Sequence, residues 1–113
     1  MITNSEIECF LREVQGFIEQ NKYIIKSTDK NDLLLEDYIL SESERKNILL
    51  SLNVDDFYRK DVNYNPGHSG YVYKFLKRVE LLHRYENEIK HIKLYIKFSY
   101  PIEGRAVVIS CHE

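Results

Sequence analysis

The sequence predicts an α+β protein in which N-terminal helices pack on a mainly antiparallel C-terminal β-sheet. In the first part of the chain, apolar residues recur every three or four positions, which is the spacing of a helix face. In the last third, polar and apolar residues alternate, which is the spacing of a half-buried strand. With 113 residues, 43% of them hydrophobic, the chain is long enough for a single domain, 1–113, with its own core.

The first helix is predicted by one apolar stripe. Its members are Ile7, Phe10, Leu11, Val14, Phe17 and Ile18. Ser5 followed by Glu8 has the pattern of a capping box, so we expect the helix to begin there. The aromatic and β-branched residues 23–25 predict a short first strand.

Two shorter helices should follow before the sheet. Thr28 opens a polar segment that can cap a helix through residues 33–35. Ser41 or Ser43 can cap another, which we expect to close at Asn53.

Strand patterns dominate the remaining chain. Residues 71–82 alternate well enough for a strand, although part of them also fits a helix, and a long strand is predicted over 89–100. Residues 63–70 are a loop by composition. Pro101 and Gly104 shape a turn before the final strand.

The last two strands carry the most informative side chains. If these strands are adjacent, the alternation places up to five polar residues on one face: Lys93, Tyr95, Lys97, Ser110 and His112. Two ammonium groups, a phenol and an imidazole suit a polyanion and can also move protons on it.

Charge is distributed unevenly along the chain, although the net charge is only -2. Residues 1–57 hold 6 basic and 12 acidic side chains, whereas residues 58–113 hold 10 basic and 6 acidic ones. One surface can therefore favour phosphate and another a basic partner, or the two halves can neutralise each other within one fold.

Several classes of protein do not fit the sequence. No apolar stretch approaches the ~20 residues of a membrane span, and the first residues lack a signal-peptide pattern, so we expect a cytoplasmic protein without a membrane partner. Cys9 and Cys111 are interpreted as reduced structural cysteines. Because the histidines have no metal-ligand spacing, we expect no metal.

Several short motifs, taken in order, resemble the motility quorum-sensing regulator (MqsR) family of toxins from bacterial type II toxin–antitoxin systems. The motifs are Leu-Leu-Ser-Leu at 49–52, Asp-Phe-Tyr-Arg at 56–59, Val-Tyr at 72–73, Tyr-Ile-Lys at 95–97 and Val-Ile-Ser-Cys-His at 108–112. The resemblance implies a RelE-like fold and a sequence-selective mRNA endoribonuclease. It also implies mRNA and a cognate antitoxin protein as partners, with no small-molecule cofactor.

Position by position, the resemblance implies catalytic roles for Arg59, Tyr95, Lys97 and His112. A glutamine that precedes Val-Tyr in the founding member of the family is replaced here by Gly70. The chain is also slightly acidic, whereas the better-known members of the family are markedly basic.

Metal-free RNA cleavage gives each of these side chains a chemical role. The ribose 2′-hydroxyl attacks the adjacent phosphorus, which requires a proton acceptor, a cation over the phosphorane and a proton donor. His112 suits the acid or base, Lys97 and Arg59 supply charge, and Tyr95 orients the substrate or stacks on a base. The residues predicted to bind RNA are Lys60, Lys77, Lys93 and His68.

Structural alternatives stand beside these roles. Lys93 and Lys97 can simply form the solvated face of a strand, and His112 lies where chain ends often fray. Arg59 can pair with Asp55, Asp56 or Asp61. The competing functions are a catalytically silent nucleic-acid- or protein-binding module, such as an immunity or regulatory protein, and a degenerate family member that serves as a scaffold.

Overall fold

One curled, mostly antiparallel sheet and three N-terminal helices form the fold, which confirms the predicted α+β class. This computed structural model describes residues 2–62 and 70–113. Five strands follow the order β1-β6-β5-β4-β2. The sixth, β3, pairs with a different part of β4 from the one that β2 pairs with. The strands are β1 (Tyr23–Ile25), β2 (Tyr38–Ile39), β3 (Phe57–Val62), β4 (Tyr71–His83), β5 (Ile89–Ser99) and β6 (Ala106–His112). Only the β1–β6 pair is parallel among these pairings.

The helices agree with the predicted order but not with every predicted end. They are α1 (Asn4–Glu19), α2 (Asp29–Asp37), α3 (Glu42–Leu50) and a single 3-10 turn (Val54–Asp56). Thr28 caps α2 as predicted, and Ser41 rather than Ser43 caps α3 through a capping box.

Two predicted helix ends are wrong. The cap of α1 is Thr3, whose hydroxyl accepts a hydrogen bond from the Glu6 amide, so the helix begins earlier than the Ser5 pattern indicates. Asn53 does not close α3; its side chain accepts from the Asp55 amide and caps the following 3-10 turn. Both errors have the same cause, because several neighbouring polar residues can each cap a helix and tertiary packing selects one of them.

The core lies between α1 and one face of the sheet. The predicted stripe of α1 is buried there, apart from Phe17, which is half-buried. The Phe10 ring stacks on Tyr73, with ring centroids 3.8 Å apart, and meets the edge of Phe98 at 5.9 Å. Alternate residues of β4 and β5 complete this face, including Phe75 and Leu94, which are fully buried. The opposite face of these strands is therefore free to carry polar side chains.

A β-bulge in β6 changes which face its side chains occupy. Lys97 pairs with Ser110 and Phe98 pairs with Val108, so Ile109 is an extra residue in β6. Without it, strict alternation would place Val108 and Ser110 on the same face. The bulge instead lets Val108 enter the core while Ser110 faces the other way with His112.

The buried Asn31 side chain holds this bulge. Its amide nitrogen donates to the carbonyl of Ile109 at 3.0 Å and to that of Lys26 at 2.9 Å, and its oxygen accepts from the Cys111 amide at 2.8 Å. The pairing of β1 with β6 reaches Val108, so the Asn31 side chain takes the place of a neighbouring strand beyond it. The backbone groups at the bulge are thereby satisfied although they are buried.

No helix among residues 2–62 and 70–113 is long and apolar enough to cross a membrane. The two cysteines have different environments, since Cys111 is buried in the sheet whereas Cys9 lies on the exposed side of α1. Burial raises the pKa of the Cys111 thiol to about 11.

We expect Asn31→Ala to lower the free energy of unfolding by about 2–4 kcal/mol, because it leaves buried backbone groups without partners. Asn47→Ala on the exposed side of α3 is the matched control and should change stability by no more than about 0.5 kcal/mol. Urea unfolding followed by circular dichroism measures both values. Equal stability of Asn31→Ala and the wild type would contradict the bracing role.

A thiol reagent should modify Cys9 rapidly and Cys111 only on unfolding, because burial keeps the Cys111 thiol protonated and inaccessible. Between pH 9.0 and about 11, the folded state keeps the Cys111 proton whereas the unfolded state releases it. The free energy of unfolding should therefore fall as the pH rises across this range. Thiol titration of Cys9→Ser isolates Cys111. Rapid modification of this variant in native buffer would contradict the placement.

Candidate functional site

Two adjacent cross-strand pairs form the centre of the site. Tyr95 of β5 lies opposite His112 of β6, and Lys97 lies opposite Ser110. Antiparallel pairing puts such partners ~4.5–5.5 Å apart at their Cβ atoms. The four side chains face away from the core, as the alternation in β5 predicts.

The imidazole of His112 is held in one orientation. Its ring stacks on that of Tyr95, with centroids 5.4 Å apart and an angle of 29° between the planes. Its Nδ1 lies 3.0 Å from the backbone carbonyl oxygen of Glu113. Because a carbonyl oxygen can only accept, this hydrogen bond requires a proton on Nδ1 and leaves Nε2 of the neutral ring as a proton acceptor.

The residues around His112 are anchored at both sides. His112 itself pairs with Tyr95 in the sheet, and the Tyr38 hydroxyl donates to Glu113 Oε1 at 3.0 Å. Burial raises the pKa of Tyr38, and the Glu113 carboxylate raises it further. The phenol therefore remains a donor to Glu113 at neutral pH, and His112 lies between two fixed points.

The first turn of α2 forms one wall of the site. Together with β5 and β6 it encloses a shallow depression of about 590 Å³. Its lining residues are Thr28, Asp29, Lys30, Tyr95, Lys97, Ile109, Ser110 and His112. Since Asn31 joins this turn of α2 to β6, the same side chain that holds the bulge also sets the position of the wall.

Lys97 lies in a cluster of positive charge. Partial burial lowers the pKa of its ammonium group, and the nearby amines of Lys74, Lys26 and Lys30 lower it further. Burial and like charges both disfavour the protonated form. A bound anion such as phosphate would relieve this repulsion, so the cluster suits an anionic ligand.

Lys74 is a member of this cluster that the sequence motifs do not indicate. It pairs with Lys97 across β4 and β5 and forms a 2.7 Å salt bridge with Asp61. The hydrogen bond that Lys74 donates to Asp61 raises the pKa of Lys74, and the nearby Tyr95 phenol also contributes. The alternation of β4 indicates that Lys74 lies on the polar face. Only the register between β4 and β5 shows that it lies beside Lys97.

Arg59 is separated from the catalytic candidates by the width of the sheet. Across the sheet, Arg59 of β3 pairs with Lys74 of β4, Lys74 pairs with Lys97 of β5, and Lys97 pairs with Ser110 of β6. Three strand spacings of ~4.8 Å put Arg59 roughly 14 Å from Ser110. Asp61 also accepts from its guanidinium at 2.7 Å and raises its pKa, which agrees with the structural alternative for Arg59.

Two of the predicted RNA-binding lysines lie on the other face of the sheet. Lys60 Nζ lies 4.3 Å from the ring centroid of Tyr71, and it pairs in register with Tyr73 of the helix-covered face. Lys77 forms a 3.2 Å salt bridge with Asp56 beside the 3-10 turn. A one-residue offset along a strand reverses the face, so neither lysine can join the cluster around Lys97.

Lys93 lies on the same face as Lys97 and pairs with Arg78, a residue that the motifs do not indicate. His68 lies outside the described residues. At Gly70 the backbone φ is +92°, and an added Cβ would lie 3.3 Å from the Tyr100 ring. A glutamine would be strained in this conformation, which gives a physical reason for the departure from the family pattern.

No three His, Cys, Asp or Glu side chains in the described part of the chain converge as a metal-ion site would require. Comparison with protein-family models, curated proteins and solved structures found no match to this chain. The resemblance to the MqsR family therefore rests on the sequence motifs alone.

Lys97→Gln should be at least as stable as the wild type at pH 7, with a gain of no more than about 1 kcal/mol because solvent screens the partly exposed ammonium. The folded pKa lies below the usual 10.5, so the unfolded state binds more protons between these two values. The free energy of unfolding of the wild type should therefore rise as the pH increases across that window. Below the window Lys97 is charged in both states, and its destabilising effect is fully present.

Urea unfolding at neutral and alkaline pH tests this dependence, with Lys22→Gln in the exposed turn after α1 as the charge-matched control. Added salt should narrow the difference between Lys97→Gln and the wild type by screening the repulsion. Marked destabilisation of Lys97→Gln at pH 7 would show that Lys97 has a structural role instead.

Proposed function

We propose that this protein is a metal-independent mRNA endoribonuclease with a RelE-like arrangement of its helices and sheet, acting as the toxin of a type II toxin–antitoxin pair. One observation carries the catalytic proposal. His112, whose Nε2 can accept a proton, lies beside Tyr95, and the next pair along holds the positive charge of Lys97. A proton acceptor, a hydroxyl and a cation thus share one open depression.

The reaction uses these groups in a single displacement. His112 Nε2 accepts the proton of the ribose 2′-hydroxyl as its oxygen forms a bond to phosphorus. The bond from phosphorus to the 5′-oxygen breaks, and the leaving oxygen takes a proton from the Lys97 ammonium. The products are a 2′,3′-cyclic phosphate and a 5′-hydroxyl. His112 then releases its proton to solvent, and solvent returns a proton to Lys97.

Electrostatics support the assignment of Lys97. Partial burial and neighbouring amines lower its pKa, which makes the ammonium a stronger acid than an ordinary lysine. Lys74 and Lys30 provide further positive charge for the phosphorane oxygens. The Tyr95 hydroxyl, which lies near Lys74, is placed to orient the phosphate by a hydrogen bond.

Inhibition by an antitoxin follows from the same surface. The depression is open and rimmed by lysines, so an acidic segment of a partner protein can cover it and exclude RNA. The toxin role rests on the family resemblance, and the cytoplasm, where mRNA is translated, is the proposed location.

A non-catalytic binding module is the second candidate. Its support is that the depression is shallow and that the Tyr95 ring covers one side of the imidazole. A face of this kind can bind phosphate or an acidic protein without chemistry. The two candidates differ in whether the 2′-hydroxyl of RNA is consumed.

Purified protein should cleave ribosome-free mRNA in the presence of EDTA, with fragment ends read on a sequencing gel. His112→Ala should lower the single-turnover rate by about 10²–10⁴-fold because it removes the general base. Lys97→Gln and Tyr95→Phe should also lower the rate. RNA with 2′-O-methyl groups should remain intact, since the nucleophile is blocked.

Tyr85→Phe is the control for Tyr95→Phe, because Tyr85 is 75% exposed in the turn before β5, and Lys22→Gln is the control for Lys97→Gln. A second arm supplies translating ribosomes. Intact mRNA in both arms would reject the ribonuclease in favour of the binding module. Equal rates for His112→Ala and the wild type would reject His112 as the base.

A further inference from the structure

Like charges face each other twice on the polar face of β4 and β5. Lys74 pairs with Lys97, and Arg78 pairs with Lys93. Like charges directly opposite each other destabilise a sheet. Asp61 offsets the first pair, whereas Arg78 and Lys93 are exposed and form no salt bridge within residues 2–62 and 70–113. An anion from outside the chain would relieve this second repulsion.

An apolar pair separates the two cationic pairs. Leu76 lies opposite Tyr95, so the face presents cations, then an aliphatic and an aromatic side chain, then cations again. Leu76 and Tyr95 are both half-buried and leave part of their surface open. Aromatic platforms between basic groups are the usual means of holding single-stranded nucleic acid.

The spacing of the pairs matches a nucleic-acid strand. Residues two positions apart in a strand are ~6.8 Å apart, so the outer pairs, four positions apart, lie about 14 Å from each other. A stacked nucleotide advances a strand by about 3.4 Å, and an extended one advances it further. Two phosphates of one RNA strand, no more than about four nucleotides apart, can therefore contact both pairs.

Resting on the proposed ribonuclease function, we infer that Arg78 and Lys93 form a second phosphate subsite for single-stranded RNA, distinct from the reacting phosphate at Lys97. The RNA runs along β4 and β5, with a base against Leu76 and Tyr95. This subsite contributes to RNA affinity.

The neighbouring residues mark where the subsite ends. The next pair along the strands is Glu80 with His91, and His91 Nδ1 lies 3.3 Å from Glu80 Oε1. The Glu80 carboxylate would repel a further phosphate. A depression of about 610 Å³ lies at this end of the subsite, lined by Arg78, Lys93 and this terminal pair among others.

The test compares two double variants that each remove one arginine and one lysine. Arg78→Gln/Lys93→Gln alters the subsite, and Arg12→Gln/Lys22→Gln alters exposed charges on α1 and in the turn that follows it. The probe is a fluorescent, random-sequence 2′-O-methyl octanucleotide, followed by anisotropy over a range of salt concentrations. Single-turnover cleavage at saturating mRNA is measured in parallel.

For the subsite variant, we expect affinity to fall on the order of tenfold, with a log–log salt slope smaller by about 1.4, corresponding to two lost contacts on a single strand. The control variant should retain both the affinity and the salt slope of the wild type.

Three results would overturn one assignment or both. An unchanged salt slope, with active wild-type enzyme, would reject the subsite and leave the ribonuclease intact. The expected loss of slope without any wild-type cleavage would reject the ribonuclease and retain an RNA-binding face. Binding of poly-glutamate but not of the octanucleotide would reject both in favour of an acidic protein partner.

Discussion

The interaction on which the site depends is the contact of one buried amide with a bulge. Asn31 satisfies the carbonyl of Ile109 and the amide of Cys111, and without these bonds the extra residue would leave buried polar backbone groups unpaired. The bulge reverses the alternation of β6, so Val108 enters the core while Ser110 faces outwards with His112. The last strand therefore contributes both to the core and to the site.

The sheet separates stability from chemistry by face. On one face, α1 buries aromatic and aliphatic side chains. Two lysines at the edge of that face have partners: Lys77 forms a salt bridge with Asp56, and Lys60 lies over aromatic rings. On the other face, like charges lie opposite each other at a cost in sheet stability. The small net charge of -2 conceals this arrangement, because the chain's acidic side chains lie mostly in the helical half.

Local patterns were sufficient for the class of fold, for the stripe of α1 and for the common face of Tyr95 and Lys97, because these depend on residues near one another in the sequence. Residues that join the site from other helices and strands could not be predicted from such local patterns. Lys74 joins the cluster through strand register, and Asn31 acts across 78 to 80 positions of the chain. Alternation alone also gave no indication of a bulge at Ile109, because a run of four apolar residues does not reveal which of them is extra.

The order of the strands has a consequence for biosynthesis. β6 lies inside the sheet between β1 and β5, although it follows both in the chain. While a ribosome is still making β6, β1 lacks the strand with which it pairs, and Ser110 and His112 are not yet in place. The proposed nuclease therefore cannot form on a nascent chain until residues through His112 have left the exit tunnel.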